Sequence, residues 1–106
     1  MNAAVDKDIQ RHRALVAVLC RRHGARRLDL FGSATRDDFD AQRSDLDFLV
    51  EFEDLEPAQY AQAYFALKED LERLFERPVD LVTENNLANP YFRRRVESER
   101  QNLYAR

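Results

Sequence analysis

The chain has 106 residues, of which 44% are hydrophobic and 35% charged, with a formal net charge of -3. That length supports one compact domain with a small core, and so much charge around so little core favours a partner or a second copy covering part of the surface. The acidic balance argues against a general nucleic-acid binder, which needs surplus basic charge to neutralise phosphates, but leaves room for one nucleotide bridged by metal ions.

The N-terminal residues lead into a charged segment with no long apolar run, so neither a signal peptide nor a membrane span is expected. From about residue 5 to residue 23, Val5, Ile9, Val16 and Leu19 recur at helical spacing, with Leu15 and Cys20 alongside. This predicts one first helix, stopped by Gly24. Cys20 is the single cysteine; it cannot form an internal disulfide, which fits a reducing cytoplasm, and it reads as a small core residue with an inert thiol. Residues 28–31 predict a short strand, followed at once by Gly32-Ser33, a short helical turn from Ser33 to about Asp38, and a loop from Asp40 to Ser44. Residues 45–52 predict the clearest strand, with Leu46, Phe48, Val50 and Phe52 on one face and Asp45, Asp47, Leu49 and Glu51 on the other. Pro57 suits the first turn of the next helix, whose apolar stripe is Tyr60, Tyr64, Leu67, Leu71, Leu74 and Phe75 and which Pro78 ends. Residues 79–82 predict a third strand, and Asn89-Pro90 an N-cap and first helical position of a last helix running to about Leu103. Three short strands covered by three helices predict one two-layer α/β (α+β) domain over residues 1–106, with a small mixed three-stranded sheet.

The chemistry concentrates at three aspartates. Asp45 and Asp47 share one face of one strand, roughly 6.5–7 Å apart along the chain, while Leu46 anchors the other face. Two carboxylates so close repel unless a cation lies between them, and oxygen-only ligands suit a hard ion such as Mg²⁺. Asp80, between the apolar neighbours Val79 and Leu81, is placed to supply a third ligand from an adjacent strand. The plainer alternative for Asp-x-Asp alone is a solvated strand edge. Gly32 at a strand end admits close ligand approach, a following helical turn aims N–H groups at an anion, and the Ser33 hydroxyl adds a donor. By itself strand-Gly-Ser is usually only a turn, and it is no P-loop. Arg36 lies just past it.

Taken together, Leu30-Phe31-Gly32-Ser33 and Ser44-Asp45-Leu46-Asp47-Phe48-Leu49-Val50 resemble the signature of the DNA polymerase beta-type nucleotidyltransferase superfamily. The whole chain resembles its smallest branch, the minimal nucleotidyltransferase (MNT) domain: Val79-Asp80-Leu81-Val82 is similar to the third-carboxylate strand, and the tail through Arg93, Glu99 and Tyr104 to the last helix. Two features depart from the pattern: Asp37 and then Asp38 follow Arg36 where glycine is usual, and the spacer from Ser33 to Asp45 is one residue longer.

The resemblance implies a palm-like fold and a two-metal mechanism using Mg²⁺ and ATP. On that resemblance Asp45 and Asp47 would hold both ions, Asp80 would hold the one nearer the nucleophile, Gly32 and Ser33 would fix the β- and γ-phosphates, and Arg36 would neutralise triphosphate charge. It further implies an MntA-like antitoxin that transfers AMP to a tyrosine of a partner HEPN ribonuclease toxin, in a hetero-oligomer, with no direct nucleic-acid contact and no membrane. Three alternatives stand beside it: a non-catalytic module that masks the toxin, a small-molecule (antibiotic) nucleotidyltransferase, and a metal nuclease on the same carboxylates. The antibiotic enzyme would need another domain to hold its acceptor, and the nuclease would not need Gly32-Ser33. His12 and His23 read as packing or surface residues, Tyr60 and Tyr64 as core or partner surface, and Tyr104 as a packing residue. Arg21, Arg22, Arg26, Arg27 and Arg93, Arg94, Arg95 read mainly as solvated faces, with docking of an acidic partner as the sharper alternative.

Overall fold

The structure is a computed structural model, and it describes residues 3–36 and 45–106. Asp37, Asp38 and the loop expected from Asp40 to Ser44 lie outside the described residues. The expected first helix is two: α1 (Ala3–Arg11) and α2 (Arg13–Arg22), separated at His12. His12 departs from helical geometry at φ -96° and ψ 3°; its amide still donates to the Asp8 and Ile9 carbonyls, each at 3.2 Å, and its ring nitrogen Nδ1 lies 2.9 Å from the Asp8 carbonyl oxygen. Gly24, at φ +72°, follows the end of α2 in the left-handed region that glycine adopts at least cost.

Strand β1 (Ala25–Phe31) is longer than expected and runs into a 3₁₀ turn, Gly32–Thr35. Strand β2 (Leu46–Phe52) begins one residue after Asp45, which therefore precedes the strand rather than opening it. Helix α3 (Pro57–Phe75) starts with Pro57 in its first turn and a reciprocal cap between Glu56 and Gln59. It ends at Glu76, in left-handed geometry at φ 54°, before Pro78. Strand β3 (Val79–Thr83) leads through a second 3₁₀ turn, Glu84–Ala88, to α4 (Pro90–Glu99). The Asn89 side chain accepts from the Tyr91 and Phe92 amides, as the Asn-Pro pair predicts.

The last helix stops at Glu99, not near Leu103, and the chain turns extended at Arg100 into a fourth strand, β4 (Gln101–Ala105). The sheet is therefore four-stranded, in the order β3-β2-β1-β4, with β2 and β3 parallel and the other pairs antiparallel. Long-range bonds decide this segment. Asp29 on β1 is fully buried, and its carboxylate accepts from Arg100 (2.6 Å) and Asn102 (2.8 Å), with Arg27 at 3.2 Å. Burial opposes the Arg100 charge, but its bonds to Asp29 and Glu97 outweigh that and hold the guanidinium pKa above its ordinary value.

The sheet is covered on both sides, where one covered face was expected. On one face α1, α2 and α3 bury Val5, Ile9, Val16, Cys20, Leu67, Leu71 and Phe75 against Leu28, Leu30, Phe48, Val50 and Leu81. On the other, α4 and the second 3₁₀ turn bury a smaller group, Phe31, Leu49, Leu87 and Val96, with Val82 and Phe92 packed on it. Leu49 shares the aspartate face because α4 covers that part of it. No helix among the described residues is long and apolar enough to cross a membrane.

Candidate active site

Topology brings the sequence signals to one end of the sheet. Strands β2 and β3 run parallel, so both begin at the same edge; β1 is antiparallel to β2, so it ends there. Asp47 consequently pairs with Asp80 on one side and Phe31 on the other, and Gly32 follows Phe31 directly. The two-residue period sends Leu46, Phe48, Val79 and Leu81 into the core under α2 and α3, and leaves Asp47 and Asp80 on the opposite face. Asp80 is exposed, Asp47 half-buried and Asp45 exposed just outside the strand.

Gly32 is required at its position for two reasons. Its φ is +79°, and a Cβ there would overlap the Asp47 carboxylate. The glycine thus opens the space in which Asp47 sits. Burial, then the charges of Asp80 and Asp45, push the Asp47 carboxyl up to about 6, against the opposing pull of Arg95 and Arg36. Asp80 and Asp45 thus both act electrostatically on Asp47. As the side chains lie, no three metal-binding groups among the described residues are gathered around a single point. An oxygen-only donor set and a cradle that a Cβ would fill together suit a hard divalent cation.

Two residues outside the expected set belong to this region. The Gly32 N–H donates to Glu99 Oε2 at 2.9 Å, and the Arg36 guanidinium pairs with Glu99 Oε1. Arg95 Nε stands 3.9 Å from the same carboxylate, with its guanidinium over the Phe92 ring. Arg36 is therefore brought to the site, but by way of Glu99. Ser33 is half-buried in the 3₁₀ turn, where its carbonyl accepts from the Arg36 amide at 3.0 Å. Arg95 was legible only as one of three consecutive arginines. The available signal was its spacing from Glu99, i and i+4, which puts both on one helical face. Arg93 faces elsewhere and donates to the Leu87 carbonyl at 3.0 Å.

The remaining candidates are structural. Cys20 is fully buried and burial raises its thiol to about 12, so it is inert. His12 packs edge-on against Phe75 and lies 3.3 Å from the Asp8 carboxylate; His23 lies 2.6 Å from Asp70. Tyr60 packs on Phe52, the Tyr64 hydroxyl donates to the Leu81 carbonyl, and Tyr104 is buried in β4. A cleft of about 540 Å³ between α1 and the start of β2, lined in part by Lys7, Arg11, Leu46 and Arg77, is on the Leu46 side of the sheet.

Residues 12–103 match the model of the nucleotidyltransferase domain. A Methanocaldococcus jannaschii protein, described provisionally as a protein adenylyltransferase, is 30% identical over 82 residues, 77% of this chain and 80% of its own. A solved structure described provisionally as a minimal nucleotidyltransferase is 38% identical, covers 90% of this chain and 92% of its own, and superposes with a TM-score of 0.66. The MNT antitoxin complex with the tri-AMPylated HEPN toxin of Shewanella oneidensis shares the fold at 22% identity and a TM-score of 0.62, over 92% of this chain and 73% of that one. With its aspartates and its glycine turn at one edge of a mixed sheet, the chain belongs to the nucleotidyltransferase domain family, in its minimal branch.

Proposed function

We propose that this protein transfers AMP from ATP to a tyrosine of a partner HEPN ribonuclease toxin and acts as its antitoxin. The observation that carries the reading is the pairing of Asp47 with Asp80 across parallel strands, beside the glycine that leaves room for them. Its support is the similarity to a protein described as an adenylyltransferase and the shared fold of an antitoxin found with an AMPylated toxin.

Asp45, Asp47 and Asp80 would hold Mg²⁺, which supplies charge neutralisation of the triphosphate and activation of the acceptor oxygen. The chain's own residues do the rest. The Gly32-Ser33 turn positions the β- and γ-phosphates, with the Ser33 hydroxyl as donor and Arg36 balancing their charge. The tyrosine oxygen forms a bond to the α-phosphorus as the bond to the pyrophosphate oxygen breaks, and pyrophosphate leaves. Asp80, exposed at the strand start, is the group available to take the tyrosine proton. A nucleotide attached beside a nuclease site blocks RNA by charge and volume.

The test is transfer of label from α-labelled ATP to the co-purified toxin in Mg²⁺, with pyrophosphate release. The expected result is a labelled toxin tyrosine and no labelling by the Asp45→Asn/Asp47→Asn protein. Wild-type protein that neither binds ATP nor releases pyrophosphate with its partner present would sink the reading. Full toxin inhibition by the double variant would favour the masking module instead.

A further inference from the structure

We propose that Glu99 is a positioning residue of the transfer reaction: its carboxylate pins the Gly32 N–H and holds Arg36 and Arg95 beside the nucleotide turn. This inference rests on the nucleotide-transfer reading above and adds to it a residue on the last helix. One oxygen, Oε2, accepts the Gly32 amide at 2.9 Å; the other, Oε1, takes Arg36 and lies 3.9 Å from Arg95 Nε. The Glu99 side chain is only 12% exposed, so the carboxylate itself is packed, while both arginines reach solvent.

Glu99 breaks a local rule in order to sit there. It is the last residue of α4, where the helix dipole presents its negative end and a carboxylate is disfavoured. Two arginines and a backbone amide offset that cost. Violations of local preference of this kind are expected at functional or strained sites. What it holds is the turn. Gly32 has a left-handed φ and stands against Asp47, and Glu99 restrains it through its amide. Because the Gly32 amide is engaged by Glu99, the phosphate donors of the turn are those that follow it, beginning with Ser33. Arg36 and Arg95 are the same two cations that oppose the aspartate charges at Asp47. Anchored on one carboxylate, they present positive charge where the triphosphate enters. Carrying the bond on α4 also couples the turn to the small apolar cluster around Val96 and Leu87.

The test compares wild type with Glu99→Ala and Glu99→Gln, by binding of ATP with Mg²⁺, by steady-state labelling, and by hydrogen exchange of the Gly32 amide. Glu99→Ala is expected to weaken ATP binding and raise KM for ATP about tenfold, as for loss of charge-assisted hydrogen bonds, with a smaller change in kcat. Its Gly32 amide is expected to exchange faster by a similar factor. Glu99→Gln keeps an acceptor for that amide without the charge and is expected to recover part of the affinity. Glu99→Asp, whose shorter arm cannot span both partners, shifts the same quantities in the same direction and serves if the alanine variant does not fold. ATP binding by Glu99→Ala as tight as wild type or tighter would overturn the proposal and make Glu99 a competitor of the phosphates; an unchanged Gly32 exchange rate would overturn it as well. Amide exchange and ATP binding need no toxin, so a failure of toxin labelling by wild type is read separately from a failure of the clamp.

Discussion

On the face under α1, α2 and α3, strand side chains such as Leu28, Leu30, Phe48, Val50 and Leu81 meet helix side chains such as Val16, Leu67 and Leu71 in one continuous apolar cluster. On the face under α4, the apolar cluster shrinks to Phe31, Leu49, Leu87 and Val96, and the strand starts beside it carry Asp47 and Asp80. The same two-residue period produces both faces. The first spends its positions on burial, which stabilises in proportion to the apolar area removed from water. The second keeps part of its area open and accepts mutually repelling carboxylates, the usual cost of a site that must meet charged ligands. The contrast teaches that stability and chemistry in this chain are divided by sheet face, so substitutions on the two faces should separate them.

The largest expected effect falls on chemistry alone. Asp47→Asn should lower transfer by on the order of 10² to 10³-fold, the scale for losing one preorganised electrostatic partner, while urea unfolding shows the fold intact. A large loss of folded protein in that variant would break the division between faces. Leu67→Ala, on the buried face of α3, should do the reverse: a loss of about 2–5 kcal/mol in unfolding free energy, with the folded fraction retaining its KM for ATP. Gly32→Ala tests the boundary between the two. It puts a side chain into the Asp47 carboxylate at φ +79° and should cost about 1–2 kcal/mol from backbone strain alone, with transfer falling further than stability does.

The smallest effect sharpens the comparison through pH. Asp47 is raised to about 6 in the folded protein, so the folded state holds its proton more tightly than the unfolded one. Without Mg²⁺, that contribution is fully present below the ordinary carboxylate pKa and is lost as pH rises through about 6. The urea midpoint of wild type relative to Asp47→Asn should therefore decline from about pH 4 to about pH 6 and level off above it. A flat difference across that range would mean that neither burial nor the other two aspartates raises Asp47.

The residues that name the family were visible in one dimension because each works through local geometry. Asp45-Leu46-Asp47 needs only the strand period, Gly32 needs only a strand end, and Asn89-Pro90 needs only a helix start. The break at His12 was less visible, since the apolar pattern runs through it and only the backbone angles of that one residue leave the helical region. Strand β4 was invisible for a stronger reason. Residues 100–105 carry no strand period that outweighs the preceding helix, and they are held extended by a ladder to β1 and by the buried Asp29.

Composition and pattern by themselves thus determined an α/β domain, a mixed sheet, three aspartates and a glycine turn, because hydrophobic period and turn chemistry are carried by neighbours in the chain. Tertiary structure alone decided that the sheet has a fourth strand, that α4 covers the second face, and that Glu99 and Arg95 join the site. Those outcomes depend on bonds between residues some 70 positions apart, such as Gly32 with Glu99 and Asp29 with Arg100. Such bonds form only once the sheet has brought the partners together, and they leave no periodic trace in the residues that make them.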